Sequence, residues 1–324
     1  CRYYPMAKKE KETKKRREKG APAGETGCEL EGPAVAAPAQ SCGFCCMADA
    51  VRGSRYLQIL VILTLAGAFL RLLQLGAAPL WLDEASTLSF AREPVEQIWN
   101  SLSSGEFNPP LFYWLEHAML AFGESEAVLR IIPAILGILT IPVFYLIGKE
   151  ILDRNTGILA AALLAFSPFA VFYSQEARAY APMLFFYALA FWFFLRLLKS
   201  WGRRDALLFG ALSALAFWTH FYAFVPVLAL FLFAIAVKAG QLARDIRSAI
   251  PLALSALAFT LLSLPLIWYA VQLFFQRTGG APAFGVQGFD TIRLTLVQIS
   301  GFSEILALVF LALFVVGVAA LYRK

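Results

Sequence analysis

The sequence predicts an all-α polytopic membrane protein of about eight transmembrane helices with a long amphipathic first outer loop. Composition is the first ground: 60% of the 324 residues are hydrophobic, 15% are charged, and mean hydropathy is +0.67. A soluble globular chain is roughly half apolar and about a quarter charged. The second ground is a series of apolar runs close to the ~20 residues a span requires. The third is the alternation of Lys/Arg clusters between those runs, the pattern that orients membrane helices. The net charge of +6 does not point to nucleic acid, because 11 of the 28 Lys and Arg fall in residues 1–55 and most others mark helix ends.

Two regions follow from this reading. Residues 1–55 form a basic, Cys/Ala/Pro-rich tail of disordered type, with the run "KKEKETKKRREKG" ahead of a Pro/Gly-rich linker. All five cysteines lie there, at Cys1, Cys28, Cys42, Cys45 and Cys46. One CxxC is half of what a zinc site needs. Residues 56–324 form the membrane domain, with expected spans near 56–75, 129–148, 156–173, 180–198, 206–222, 224–238, 249–271 and 303–322. The segment 111–122, "LFYWLEHAMLAF", is too short to span and carries Glu116 and His117. It is expected at the interface.

With the tail placed inside, the first loop, 76–128, lies outside and holds eight acids and a single Arg, Arg92. The clusters at Lys149/Arg154, Arg196/Lys199/Arg203/Arg204, Lys238/Arg244/Arg247 and Arg323/Lys324 then all face inside. Asp83, Glu84, Asn108, the island "YSQEARAY" and His220 share the outer face. The expected setting is a cell membrane crossed many times, with a cytoplasmic N-terminus and an extracytoplasmic site.

Several of those outer residues bear chemistry, and each has two readings. Asp83 and Glu84, in "APLWLDEASTL", are either the polar start of a loop helix or a general base with a metal or substrate ligand. Adjacent helical residues point about 100° apart, so the two acids cannot share a role. Beyond them, Leu88, Phe90, Val95, Ile98, Trp99 and Leu102 give the loop an amphipathic pattern, that of a helix in the interface plane or of a lid packed on itself. Asn108 precedes Pro109 and Pro110 in a stiff turn, as a turn former or a substrate contact. Arg178 sits on the face where a cation is disfavoured, which argues for function or pairing, and its donor fork suits phosphate. Glu176 is two residues away. Tyr173 and Tyr180 belong to the interfacial aromatic belt or to a sugar site. His220 is an interfacial hydrogen-bonder or a metal ligand.

Taken in order, the acidic pair, "FNPPLFYW", "SEAVLRIIPAILGILTIPVFYLIGKEIL", "SPFAVFYSQEARAY" and "WTHFY" resemble the GT-C membrane glycosyltransferases. The likeness covers about residues 56–240 and is greatest to prokaryotic relatives of dolichyl-phosphate-mannose–protein mannosyltransferase. It implies an enzyme that moves mannose or a similar hexose from a polyprenyl- or dolichyl-phosphate carrier to a protein, lipid or glycan acceptor, with inversion. It implies Asp83 as base and Glu84 as its partner. It implies Arg178 on the carrier phosphate; with the residue readings above, Asn108, Tyr173, Glu176 and Tyr180 complete the expected donor site. A further implication is His220 as a phosphate contact or, with Glu84, as a ligand of a divalent ion; C-terminal spans beyond this sequence are another. The chain departs from the aminoarabinose transferases of polymyxin resistance, which carry Glu-Lys-Pro-Pro where it has Phe107-Asn108-Pro109-Pro110.

The alternative is a polytopic transporter or lipid flippase. It needs ionisable groups through the bilayer depth, whereas the charges here gather at helix ends. The chain contains neither a GxxxxGK[ST] loop nor a dinucleotide fingerprint, which excludes direct ATP-loop or dinucleotide chemistry of those kinds.

Overall fold

The computed structural model describes residues 54–104, 108–279, 293–297, 303–309, 311–312 and 315. Among these, every regular element is helical. The predicted tail, 1–55, lies almost wholly outside the described residues, as does half of the predicted eighth span, 303–322.

The first helix, α1 (Arg55–Leu72), is apolar along nearly its whole length and long enough to cross a membrane. Two short helices follow, α2 (Leu82–Arg92) and α3 (Val95–Asn100), with Pro94 between them and a 3-10 turn at Ser101–Ser104. Helix α4 (Pro110–Met119) has proline at its first position, where a missing N–H costs nothing. Its ten residues confirm that the 111–122 segment does not span.

Helix α5 (Glu126–Ile151) begins at Ser125, whose hydroxyl accepts from the Val128 amide, and carries Glu126 in its first turn. Helix α6 (Arg154–Ala165) is capped by Asp153, which accepts from the Thr156 amide at 2.8 Å. Helix α7 (Pro168–Ser174) starts from Ser167 and bends 59° away from α6, so the predicted third span is a broken one. The Ser-Pro pair explains the break, because Pro168 cannot donate back into α6 while Ser167 caps a new helix. The remaining helices are α8 (Tyr180–Ser200), α9 (Arg203–Thr219), α10 (Phe224–Arg244) and α11 (Ile250–Gly279). Five helical stretches reach span length and hydropathy, or six if the bent pair counts as one. Helix α9, with 17 residues, is shorter than those five.

Helix α5 packs against α1, α6 and α8, while α9 packs between α8 and α11. The α5–α6 approach is close because Gly148 and Gly157 face each other. A Cβ on Gly148 would stand 2.8 Å from the Cα of Gly157. Small residues at membrane helix contacts let backbones approach in this way. One core cluster joins α1, α5, α6 and α7 around Leu60, Ile141, Tyr145 and Ala161. A second joins α8 to α11 around Phe194, Leu197, Phe209 and Leu252. Trp99, Trp114, Trp218 and Tyr269 pack ring against ring, stacked, tilted or edge-on, at centroid distances of 5.6–6.1 Å and pin α3 and α4 to α9 and α11.

A buried cation holds the broken span. Arg71 is 0% exposed and donates to the carbonyls of Leu164 at 3.0 Å and Ala165 at 3.1 Å, and to the Ser174 hydroxyl at 3.2 Å. The carbonyls are those left without helical partners where α6 ends, so the guanidinium satisfies them and completes the break.

Candidate active site

The site is built on the turn 175–178, "QEAR", between α7 and α8. Gln175 donates its side-chain amide to the carbonyls of Leu70, Arg71 and Leu73, closing the C-terminal end of α1. The Ala177 amide donates to Glu84 at 2.8 Å, and Arg178 turns toward Asp83. Helices α1 and α2 thus meet on four consecutive residues just ahead of α8.

The two acids divide their work. Glu84 is 0% exposed. It accepts from Arg130 at 2.8 Å (Nε) and 2.6 Å (Nη2), and from the backbone amides of Ala177 and Trp81. Burial alone would push its pKa up; the Arg130 and Ala177 hydrogen bonds outweigh that and hold the carboxyl below the usual range. Arg130 in turn spends its remaining N–H groups on the carbonyls of Leu75, Ala78 and Pro79. Each Glu84 oxygen therefore already accepts two hydrogen bonds. Glu84, expected to act as the catalytic partner of Asp83 or as a metal ligand, thus forms a clamp that docks α2 on α5 and on the QEAR turn.

Asp83, one residue earlier, points the other way. Its side chain is 40% exposed, and its carboxylate lies 3.7 Å from Nη2 of Arg178. Nη1 of Arg178 also donates to the Asp83 carbonyl at 3.2 Å and to the Thr87 hydroxyl at 3.4 Å. A narrow cleft opens here, lined by Thr87, Asn108, Phe112, Tyr113, Arg178, Tyr180 and His220. Asn108 donates to the Tyr113 hydroxyl at 3.3 Å, which turns the Asn-Pro-Pro corner into the cleft wall.

His220 is buried between two rings, stacked on Tyr180 at 5.9 Å and on Tyr222 at 5.2 Å. Its Nδ1 accepts from the Tyr222 amide at 3.2 Å, so the neutral ring carries its hydrogen on Nε2. Burial, and secondarily the Arg178 charge, push its pKa down to about 4. Glu176 is also buried, and burial, then the negative charge of Glu84, push it up to about 7 against the pull of Arg178. Tyr173 stands with its ring 5.0 Å from Tyr180, but it faces an apolar cavity of about 320 Å³ that includes Phe169, Met183 and Leu184, not the polar cleft.

The structure thus brings Asp83, Asn108, Arg178, Tyr180 and His220 together, places Glu84 and Glu176 directly behind them, and sets Tyr173 apart. The donor set expected for a divalent ion does not fit one. Both Glu84 oxygens are saturated, the His220 Nδ1 is taken, and no group of three or more His, Cys, Asp or Glu could hold a metal among the described residues. Sequence reasoning missed Arg130, Thr87 and Gln175. Arg130 had a signal, since a cation five residues inside an apolar helix calls for a partner.

The architecture is that of the GT-C membrane glycosyltransferases. The S. cerevisiae protein O-mannosyltransferase Pmt1-Pmt2 complex, solved with its sugar donor, matches with a TM-score of 0.52 at 20% identity, over 69% of this chain and 34% of that one. Within that fold class, the family model for dolichyl-phosphate-mannose-protein mannosyltransferase matches residues 108–268. The likeness first read from sequence motifs therefore stands. Two structures of oligosaccharyltransferases from Archaeoglobus fulgidus also match. The apo form has a TM-score of 0.48 at 20% identity, over 80% of this chain and 39% of that one. AglB with an inhibitory peptide and a dolichol-phosphate has a TM-score of 0.49 at 17% identity, over 84% and 38%. The chain spans about a third of the length of the yeast structure it matches. No curated protein sequence matches the chain.

Proposed function

We propose that this chain is a membrane glycosyltransferase that moves a sugar, mannose or a similar hexose, from a polyprenyl-phosphate carrier to a protein, lipid or glycan acceptor. One observation carries the reading: a half-exposed carboxylate, Asp83, stands 3.7 Å from the cation of Arg178 at a cleft. In this reading the carrier phosphate enters against Arg178, whose charge stabilises the negative charge that grows on the leaving phosphate. Phosphate binding draws Arg178 away from Asp83 and frees the carboxylate. Asp83 then accepts the proton of the acceptor hydroxyl as that oxygen attacks the anomeric carbon from the face opposite the phosphate, inverting it. The C–O bond to the phosphate breaks, and the carrier phosphate leaves with the bonding electrons. Neutral His220 forms part of the wall of the same cleft. Support comes from the GT-C fold and from the match to the mannosyltransferase family model.

The test is transfer in vitro from a panel of polyprenyl-phosphate sugars, with and without chelator. Asp83→Asn is expected to lower kcat about a hundredfold or more while the protein still inserts and folds, the range of general-base contributions. Arg178→Ala is expected to weaken donor binding. Full transfer by Asp83→Asn would refute the assignment. Movement of the sugar-lipid between leaflets without glycosidic transfer would favour the flippase instead.

A further inference from the structure

Glu116 lies outside the chemistry described so far. It is 0% exposed, and neither carboxylate oxygen has a hydrogen-bond partner. It sits on α4, which packs against α2, α3, α5, α9 and the 3-10 turn at 120–122. The charged groups of those helices are Asp83, Glu84 and Arg92 on α2, Glu96 on α3, Glu126, Arg130, Lys149 and Glu150 on α5, and Arg203, Arg204 and Asp205 on α9. None of them forms an ion pair or hydrogen bond with Glu116. On α4 itself, His117 directs Nδ1 to the Ala91 carbonyl on α2. An ionised carboxylate cannot remain in such surroundings, because no donor or cation replaces the water it would lose. Burial alone accordingly pushes Glu116 up to about 9.

The position of this group gives it consequence. Phe112 and Tyr113, one turn earlier on the same buried face of α4, line the cleft, and Asn108 bonds the Tyr113 hydroxyl. We propose that Glu116 is a positioning residue that works as a neutral acid: protonated, it lets α4 stay seated and so keeps Asn108, Phe112 and Tyr113 as a wall of the cleft; deprotonated, it releases α4.

The sign follows from proton linkage. When α4 lifts, the carboxyl meets water and its affinity for the proton falls to the ordinary value of 4.5, against about 9 when seated. Seating is therefore tightest below 4.5. Between 4.5 and 9 the ratio of seated to lifted α4 falls about tenfold per pH unit. Above 9 it falls no further.

Amide hydrogen exchange on the full chain in lipid nanodiscs tests this. The opening constant of Leu111–Met119, corrected for intrinsic chemical exchange, is measured from about pH 6 to about pH 8.5. In the wild type it is expected to rise about tenfold per unit; in Glu116→Gln it is expected to stay flat. Amides of α8 serve as the control and stay flat in both. A flat wild-type profile, or parallel slopes in wild type and Glu116→Gln, would overturn the proposal. Should Glu116→Gln not fold, Glu116→Met, also without a titrating proton, makes the same comparison. An activity measurement, which rests on the proposed transferase reading, is the second readout. KM is expected to rise with pH in the wild type and not in Glu116→Gln, with kcat kept. A chain without transfer activity would count against the transferase reading alone, since the exchange slope is read without a substrate.

Discussion

At the scale of single residues, the neighbours Asp83 and Glu84 have separate fates because the ~100° between adjacent helical positions sends them to different environments. Glu84 is buried in an ion pair with Arg130 whose every N–H is used. Such a pair contributes little net stability compared with apolar packing, yet removal of one partner strands a charge. Arg130→Met is therefore expected to destabilise the protein by about 3–5 kcal/mol, read as a lower thermal midpoint in detergent. Arg130→Lys should fail to rescue it, because an ammonium has three donors in place of a five-donor fork. The double variant Glu84→Met/Arg130→Met should recover much of the loss, and no recovery would contradict the clamp. Asp83 is legible in the sequence as an acid at the end of an apolar helix. Its distinction from Glu84 is not, because Arg130 lies 46 residues away and Ala177 lies 93 away.

At the scale of elements, the broken span α6–α7 decides where the site can stand. Ser167-Pro168 ends one helix and starts another, and Arg71 fills the carbonyls left open at the break. Gly137 on α5 makes room for this arrangement: a Cβ there would collide with the Ser174 hydroxyl and stand 3.3 Å from Nε of Arg71. Gly137→Ala is expected to cost about 1–3 kcal/mol by overpacking, with a fall in thermal midpoint. Gly137→Ala combined with Ser174→Ala should be milder, since the nearest obstructing atom is gone. A neutral Gly137→Ala would show that α5 and α7 have slack. Most helices were readable as apolar runs, and the short α4 was readable from its Glu and His. The bend was not, because an apolar run of span length reads the same whether straight or broken.

At the scale of the whole molecule, two populations of helix ends separate. The C-terminal ends of α1, α7 and α9 and the N-terminal ends of α5 and α8 carry the cleft and its clamp. The opposite ends of α1, α5, α8 and α9 carry basic residues, where Lys199 pairs with Glu150 and Arg196 with Asp205. This matches the alternation of charge along the sequence and leads to a topology prediction. With the tail cysteines replaced, single cysteines at Glu96 and Arg203 are expected to react with impermeant thiol reagents from opposite sides of the membrane, Glu96→Cys from the extracytoplasmic side. The membrane core contains no cysteine of its own to interfere. Labelling of both from one side would overturn the parity of the spans and the sidedness of the site.

The sequence by itself determined the class: an apolar, helical, multi-pass chain with its chemistry-bearing residues gathered at one set of helix ends. Hydrophobic run length and charge alternation are local properties, set by transfer free energy and membrane potential one segment at a time, so they can be read without a fold. Only the tertiary structure decided which acid stands beside the Arg178 cation, that Arg130 belongs to the clamp, that His220 is buried against two tyrosines, and that Glu116 is an acid sealed from water. Those outcomes depend on which groups from distant segments replace lost water around each ionisable side chain, and that replacement exists only once the helices have packed.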